Sequence, residues 1–247
     1  MNVPLVKPNK SRNDEIMTLC LGIETSCDET AVAIVSDKRQ ILANLVQSQI
    51  KEHQAYKGVV PEIAARAHLQ YLPALITQAL QQAQCSKHDL AVVAATAGPG
   101  LIGGVLVGTC FAKAYAAGLN KPYLGINHLE GHALTVQLTD ALAFPYLLLL
   151  VSGGHCQLLD VQGIGRYHML GTTLDDAAGE AFDKLAKLLD LGFPGGPRVE
   201  AVAKHGDATR FALPEPLKTR QDANFSFSGL KNAVRQYIKP ASMTEQD

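Results

Sequence analysis

His128-Leu129-Glu130-Gly131-His132 is the stretch with the clearest chemistry. Two histidines four apart on a helix project from one face, a turn apart. A divalent transition metal can bridge such a pair through neutral imidazoles. The same pattern also arises from two surface histidines at a helix start, and short motifs match by chance. The surrounding chain adds weight to the metal reading. An apolar run, Tyr123 to Ile126, leads into Asn127 just before the pair. Glycine turns close the runs on either side, Ala97-Gly98-Pro99-Gly100 before and Val151-Ser152-Gly153-Gly154-His155 after. Three strand ends are thus expected to deliver glycines and histidines to one side of a sheet.

A second candidate is the hairpin tip Thr25-Ser26-Cys27-Asp28-Glu29-Thr30. Its hydroxyls and backbone N–H groups suit a phosphate, and Asp28 and Glu29 suit a cation or a substrate amine. A plain polar turn is the alternative. The turn at Ser152-Gly153-Gly154 looks like a second hairpin of the same kind. Ala97 to Gly100 feeds a helix N-terminus, a natural anion seat, although its glycines equally serve close helix–sheet packing. Glu180 and Asp183 share a helix face, which usually means a solvated face. Arg66 and His68 read as solvated or capping side chains.

Elements that would position these groups follow from periodicity. Strands are expected at 18–24, 31–35 and 41–48, then a helix over 61–84 kinked at Pro73. An apolar strand over 90–96 leads to a small-residue helix over 101–118. A strand at 123–126 precedes a helix running to about Leu138. Strands at 145–151, 156–161 and 168–171 repeat the three-strand opening, and a helix over 172–191 has Asp175 and Asp176 at its start. A short helix over 197–205, strand-like alternation at 224–229 and an amphipathic helix to Ile238 end the chain. The echo suggests two related β-β-β-α halves. The expected division is an arm over 1–17, one lobe over 18–140 and a second over 141–247.

With 247 residues, 47% of them hydrophobic, a large core is available. A net charge of -1 argues against a protein held on nucleic acid by bulk charge. No stretch is long and apolar enough to span a bilayer, and the start lacks a secretory pattern. Five cysteines without a CxxC pair read as reduced, mostly buried thiols of a cytoplasmic protein.

Seven motifs in order resemble one family: GIETSCDETAVAIV at Gly22–Val35, AGPGLIGGVLVG at Ala97–Gly108, NHLEGH at Asn127–His132, LVSGGH at Leu150–His155, DDAAGEAFDKLAKLL at Asp175–Leu189, PGGP at Pro194–Pro197 and FSFSGLKNAV at Phe225–Val234. They are similar to the universal tRNA threonylcarbamoyladenosine transferases, TsaD in bacteria. The resemblance implies an α/β protein of the actin, sugar-kinase and heat-shock-chaperone ATPase superfold. It implies transfer of a threonylcarbamoyl group from an adenylate to the exocyclic amine of the adenosine beside the anticodon, in tRNAs reading ANN codons. It implies one divalent metal ion, Fe2+ or Zn2+, on His128 and His132. The adenylate, an ATP-derived nucleotide, is expected at Leu150, Val151, Ser152, Gly153 and Gly154, with Asp183 accepting from ribose hydroxyls and Gly196 nearby. Asp28 and Glu29 match the acidic hairpin, and either could take the amine's proton. The implied partners are tRNA, a paralogous TsaB-like subunit and a TsaE-like ATPase. The helix from Ala97 onward, through Gly104 and Gly108, is the face expected to meet the paralogue. Lys218, Arg220, Lys231 and Arg235 are candidates for tRNA phosphates.

The chain departs from the family at its end. The family's further nucleotide-contacting Asn and third metal ligand, an Asp, have no counterpart, and Glu245 and Asp247 do not match. The expectation is a truncated member with an incomplete second lobe, its apolar faces uncovered. Rival readings are a partner-binding subunit without catalysis, a carbohydrate kinase and a zinc peptidase. Against the last, Leu129 stands where HExxH has its glutamate; Glu130 is rotated by about 100° around the helix.

Overall fold

The computed structural model describes residues 17–56 and 58–238. The arm expected over 1–17 (but for Met17), Glu245 and Asp247 lie outside these residues. The chain divides into two compact units between Leu142 and Ala143.

In the first unit, β1 (Leu19–Glu24), β2 (Glu29–Ser36) and β3 (Ile41–Ser48) form an antiparallel meander. A short helix α1 (Ile50–Gln54), not foreseen from periodicity, follows. Then α2 (Pro61–Gln82) carries the chain back, so that β4 (Leu90–Gly98) lies parallel beside β1. α3 (Ile102–Gly118) makes a second crossover to β5 (Tyr123–Asn127), parallel to β4. The sheet order is β3-β2-β1-β4-β5. Parallel neighbours need such crossovers, and the two helices cover one sheet face. Alternation decides which side chains they bury: Leu19, Leu21 and Ile23 of β1 and Val32 and Ile34 of β2 pack with Leu72, Leu75, Ile76 and Ala79 of α2 and Ala112 and Ala116 of α3. One helix runs through Pro73 without a break.

Gly104 and Gly108 face inward, not toward a partner. A Cβ on Gly104 would stand 2.3 Å from the Thr25 carbonyl oxygen, and one on Gly108 would stand 2.1 Å from Thr25 Oγ1. The small residues of α3 bring it onto the β1–β2 hairpin. Its outward face instead carries Ile102 and Leu106, 74% and 53% exposed. After β5 the expected single helix is two, α4 (His128–Leu134) and α5 (Val136–Thr139).

In the second unit, β6 (Tyr146–Val151), β7 (Cys156–Gly163) and β8 (Arg166–Thr172) form another antiparallel meander. Three helices follow, α6 (Ala178–Leu188), α7 (Gly195–Ala203) and α8 (Ser228–Tyr237). β8 continues to Thr172, so α6 starts six residues later than its pattern suggested. Asp175 and Asp176 therefore sit in the loop before it. Asp175 Oδ1 accepts from the Phe227 and Ser228 N–H groups at the start of α8, at 2.8 and 3.3 Å. Asp176 pairs with Lys184 and Lys231. The strand-like stretch at 224–229 reduces to one bridge, Thr173 to Phe225. Leu147, Leu149 and Val151, alternate residues of β6, are each more than half exposed. The three turns expected on one sheet are divided between two: those after β4 and β5 share the first sheet, whereas Ser152–Gly154 follows β6 of the second. Of the cysteines, only Cys156 is buried; Cys27 and Cys110 are exposed.

Candidate metal centre and hairpins

Asn127 ends β5 and caps the next helix. Its side-chain oxygen accepts from the Leu129 and Glu130 N–H groups at 2.9 and 3.3 Å, so α4 begins at His128. The cap places His128 in the first turn and His132 above it. The rings meet edge to face, and Nε2 of one lies 3.2 Å from Nε2 of the other. A zinc-like ion with tetrahedral bonds of about 2.0–2.1 Å holds its ligand nitrogens roughly 3.3–3.4 Å apart. The separation of the two Nε2 atoms is close to the one such an ion requires. Among the described residues, no group of three or more His, Cys, Asp or Glu forms a metal site.

His128 is held from behind by a residue that the sequence reading passed over. Glu24, the last residue of β1, places Oε2 3.1 Å from His128 Nδ1. The same carboxylate accepts from the Ser26 N–H at 2.5 Å and from the Thr96 hydroxyl of β4. Burial pushes the Glu24 carboxyl up, but the bonds from His128, Ser26 and Thr96 outweigh it and hold it at about 2. The one available signal was a carboxylate ending a strand that is otherwise apolar.

The hairpin tip spans Thr25–Asp28, and Glu29 already belongs to β2, opposite Ser48. Its carbonyls are tied down in turn. Ser26 O accepts from Leu101 N at 2.7 Å, Cys27 O from His68 Nε2 at 3.1 Å, and Asp28 O from Gln49 N at 3.1 Å. Thr25 and Ser26 are buried, which corrects the expectation of hydroxyls open to a phosphate. Thr25 donates to Gly104 O at 2.9 Å, and Ser26 Oγ lies 3.2 Å from His128 Nδ1. Asp28 is half-buried and Glu29 exposed, so the acidic pair, with Cys27, is the accessible part. Partial burial and then the Asp28 charge raise the Glu29 carboxyl, a shift toward a better base.

His68 is fully buried, not solvated. Its Nδ1 meets Thr30 Oγ1 at 2.8 Å and Gln49 Nε2 at 3.1 Å. Gln49 Oε1 in turn meets His53 Nε2 at 3.3 Å, and His53 Nδ1 accepts from Val60 N at 3.2 Å. Every donor in this relay finds an acceptor if both imidazoles are neutral. Burial holds His68 below the usual histidine range.

The second unit repeats the device. Ser152 Oγ accepts from His155 N at 3.0 Å, closing the β6–β7 turn. Gly179 N and Glu180 N, at the start of α6, donate to Ser152 O and Gly153 O at 3.4 and 3.1 Å. Leu150 is buried and Val151 exposed. One turn along α6, Asp183 Oδ1 accepts from Gly195 N at 2.7 Å and so caps α7, next to Gly196. The structure thus gathers Ser152–Gly154, Asp183 and Gly196 along one helix. Asp183 Oδ1 thereby holds the start of α7. Asp183→Ala should destabilise the second unit by about 1 kcal/mol; an unchanged urea midpoint would contradict that cap. Of the basic residues considered for tRNA, Lys218 pairs with Glu215, Arg220 with Asp222 and Lys231 with Asp176.

Two hairpin meanders, each pinned at its tip by a helix start, and a paired-imidazole grip define an α/β protein with a candidate metal centre. The profile described as "TsaD: tRNA N6-adenosine threonylcarbamoyltransferase" matches residues 40–246, and the chain belongs to that family. Proteins so named are 60% identical over 232 residues in Paramagnetospirillum magneticum, 58% over 235 in Rhodospirillum rubrum and 61% over 232 in Brucella suis. Each alignment covers 92% of this chain, but only 67%, 65% and 65% of the relative. The chain thus spans about two thirds of these relatives' length. Among solved structures, the activator of 2-hydroxyisocaproyl-CoA dehydratase from Clostridium difficile aligns with 90% of this chain and 65% of its own, at 12% identity and a TM-score of 0.45. That likeness is too loose to bear on function. Among the described residues no helix is long and apolar enough to cross a membrane.

Proposed function

We propose that this chain carries the metal grip and the adenylate seat of a tRNA N6-adenosine threonylcarbamoyltransferase. The reaction moves a threonylcarbamoyl group from its adenylate to the exocyclic amine of the adenosine beside the anticodon in tRNAs reading ANN codons. Family membership supports the reaction class; the observation that carries the site is the 3.2 Å approach of the two imidazole Nε2 atoms. His128 and His132 would hold one divalent cation, Fe2+ or Zn2+, and that cation would supply Lewis acidity. Ser152 N–H closes the turn onto His155 O at 2.8 Å, and the backbone N–H groups of Gly153 and Gly154 seat the adenylate phosphate without loss of side-chain entropy. An aromatic amine loses its proton late in attack, and Glu29, with its raised proton affinity, is the better placed of the acidic pair to take it. A TsaB-like paralogue and a TsaE-like ATPase complete the machinery, with Ile102 and Leu106 of α3 offered to the paralogue.

The test is metal content and transfer together. Purified wild-type chain should bind close to one equivalent of zinc or iron, and His128→Ala/His132→Ala should bind none. With adenylate, unmodified tRNA and the two partners present, modified adenosine should form only with the wild type. Equal metal content in the two proteins would remove the site. Full metal content without transfer would favour a partner-binding role for this length of chain.

A further inference from the structure

We propose that Glu24 is the positioning residue of the imidazole pair: its carboxylate keeps the proton of His128 on Nδ1 and thereby turns the Nε2 lone pair toward the cation. The idea rests on the metal reading above, but its first part concerns the protein alone.

An ionised carboxylate only accepts hydrogen bonds. Glu24 already accepts from the Ser26 N–H at 2.5 Å and from the Thr96 hydroxyl, both donors. His128 Nδ1 lies 3.1 Å from Glu24 Oε2. Without a proton on Nδ1, two acceptors would face each other there. Ser26 Oγ, 3.2 Å from the same nitrogen, could donate to it and impose the opposite tautomer. The carboxylate decides between them, because a bond to an ionised acceptor is roughly twice as strong as a neutral one. With the proton on Nδ1, His128 Nε2 is an acceptor aimed at His132, where a cation would sit. Glu24 ends β1, Thr96 lies near the end of β4 and His128 follows β5, so three adjacent strands fix the arrangement. A carboxylate behind a ligating imidazole fixes its tautomer and orientation and raises its basicity.

Nitrogen-15 chemical shifts of the histidine rings, with His128 assigned by comparison with His128→Gln, read the tautomer in metal-free protein. The wild type should carry the proton on Nδ1. In Glu24→Gln the amide oxygen stays with Ser26 N–H and the NH2 group donates to Nδ1, so the proton should move to Nε2. A wild-type ring protonated on Nε2, or a Glu24→Gln ring unchanged from wild type, overturns the proposal. The wild-type spectrum needs no variant, so it judges the idea even if Glu24→Gln folds poorly. Cobalt(II) titration followed by its visible bands is the second arm, with Thr96→Val as a control that removes one bond to Glu24 and leaves His128 in place. Glu24→Gln should weaken cobalt roughly 10–100-fold, and Thr96→Val much less. Equal weakening in both would make Glu24 a structural residue only. If the wild type binds no cobalt, the metal reading fails, and the ring shifts alone decide the tautomer.

Discussion

Gly104→Ala should destabilise the first unit by about 2–3 kcal/mol, a cost typical of forced overpacking. In most helix interiors the same change is favourable by up to ~1 kcal/mol, so the sign here is set by packing. The added Cβ would meet the Thr25 carbonyl oxygen at 2.3 Å and His68 Nε2 at 3.2 Å. The first neighbour is backbone and cannot rotate aside. It is also flanked by ties: Thr25 Oγ1 donates to Gly104 O, and Ser26 O accepts from Leu101 N. Relief therefore requires α3 and the hairpin to separate, which loosens Ser26 and Glu24 behind His128. The chain has no tryptophan, so unfolding is best followed by circular dichroism in urea. A midpoint equal to or above wild type would show that the hairpin yields more readily than its bonds imply. Metal affinity should fall in the same variant, because the hairpin orients the imidazole pair.

Most of the architecture was legible because it is written in periodicity. β1 and β2 alternate, α2 has an apolar stripe, and the strands of both meanders are runs bounded by polar or glycine turns. The paired histidines were legible too, since a helix fixes the relation between residues four apart. What escaped depended on contacts far apart in the chain. Glu24 reaches His128 across 104 positions, and nothing local distinguishes it from any carboxylate at a strand end. His68 looked like a surface residue because helical spacing alone does not say that Thr30, Gln49 and Cys27 converge on it. The glycines of α3 invited a partner-facing reading, since small residues allow close approach to any surface; the surface proved to be this chain's own hairpin. Asp175 and Asp176 carried a helix-start signal, but β8 claimed Thr172 and displaced the helix. The bond from Gly195 N to Asp183 was not legible, because it depends on Gly195 folding back onto α6.

The buried relay gives the other large effect, and its pH dependence has a defined sign. His68→Gln keeps a donor for Cys27 O but withdraws the acceptor that Thr30 and Gln49 use. Leaving buried donors unmatched should cost about 2 kcal/mol at pH 8. The wild type itself should weaken in acid. Burial lowers the proton affinity of folded His68, and this is only partly offset by the bond to Cys27 O and by the nearby Glu24 and Asp28 charges. In the unfolded chain a histidine titrates near pH ~6.5. Above that value neither state binds the proton, and the contribution of His68 is complete. As pH falls through ~6.5 the unfolded chain takes up a proton that the folded site refuses, so stability drops, by at most ~1.4 kcal/mol per unit for one proton. The glutamine variant lacks this titration. The stability gap between the two proteins should therefore narrow from pH 8 to pH 5.5 in urea unfolding followed by circular dichroism. A gap that stays constant or widens would mean that His68 is protonated in the fold. The neutral relay, and with it the anchoring of Cys27 O beneath the acidic pair, would then be wrong.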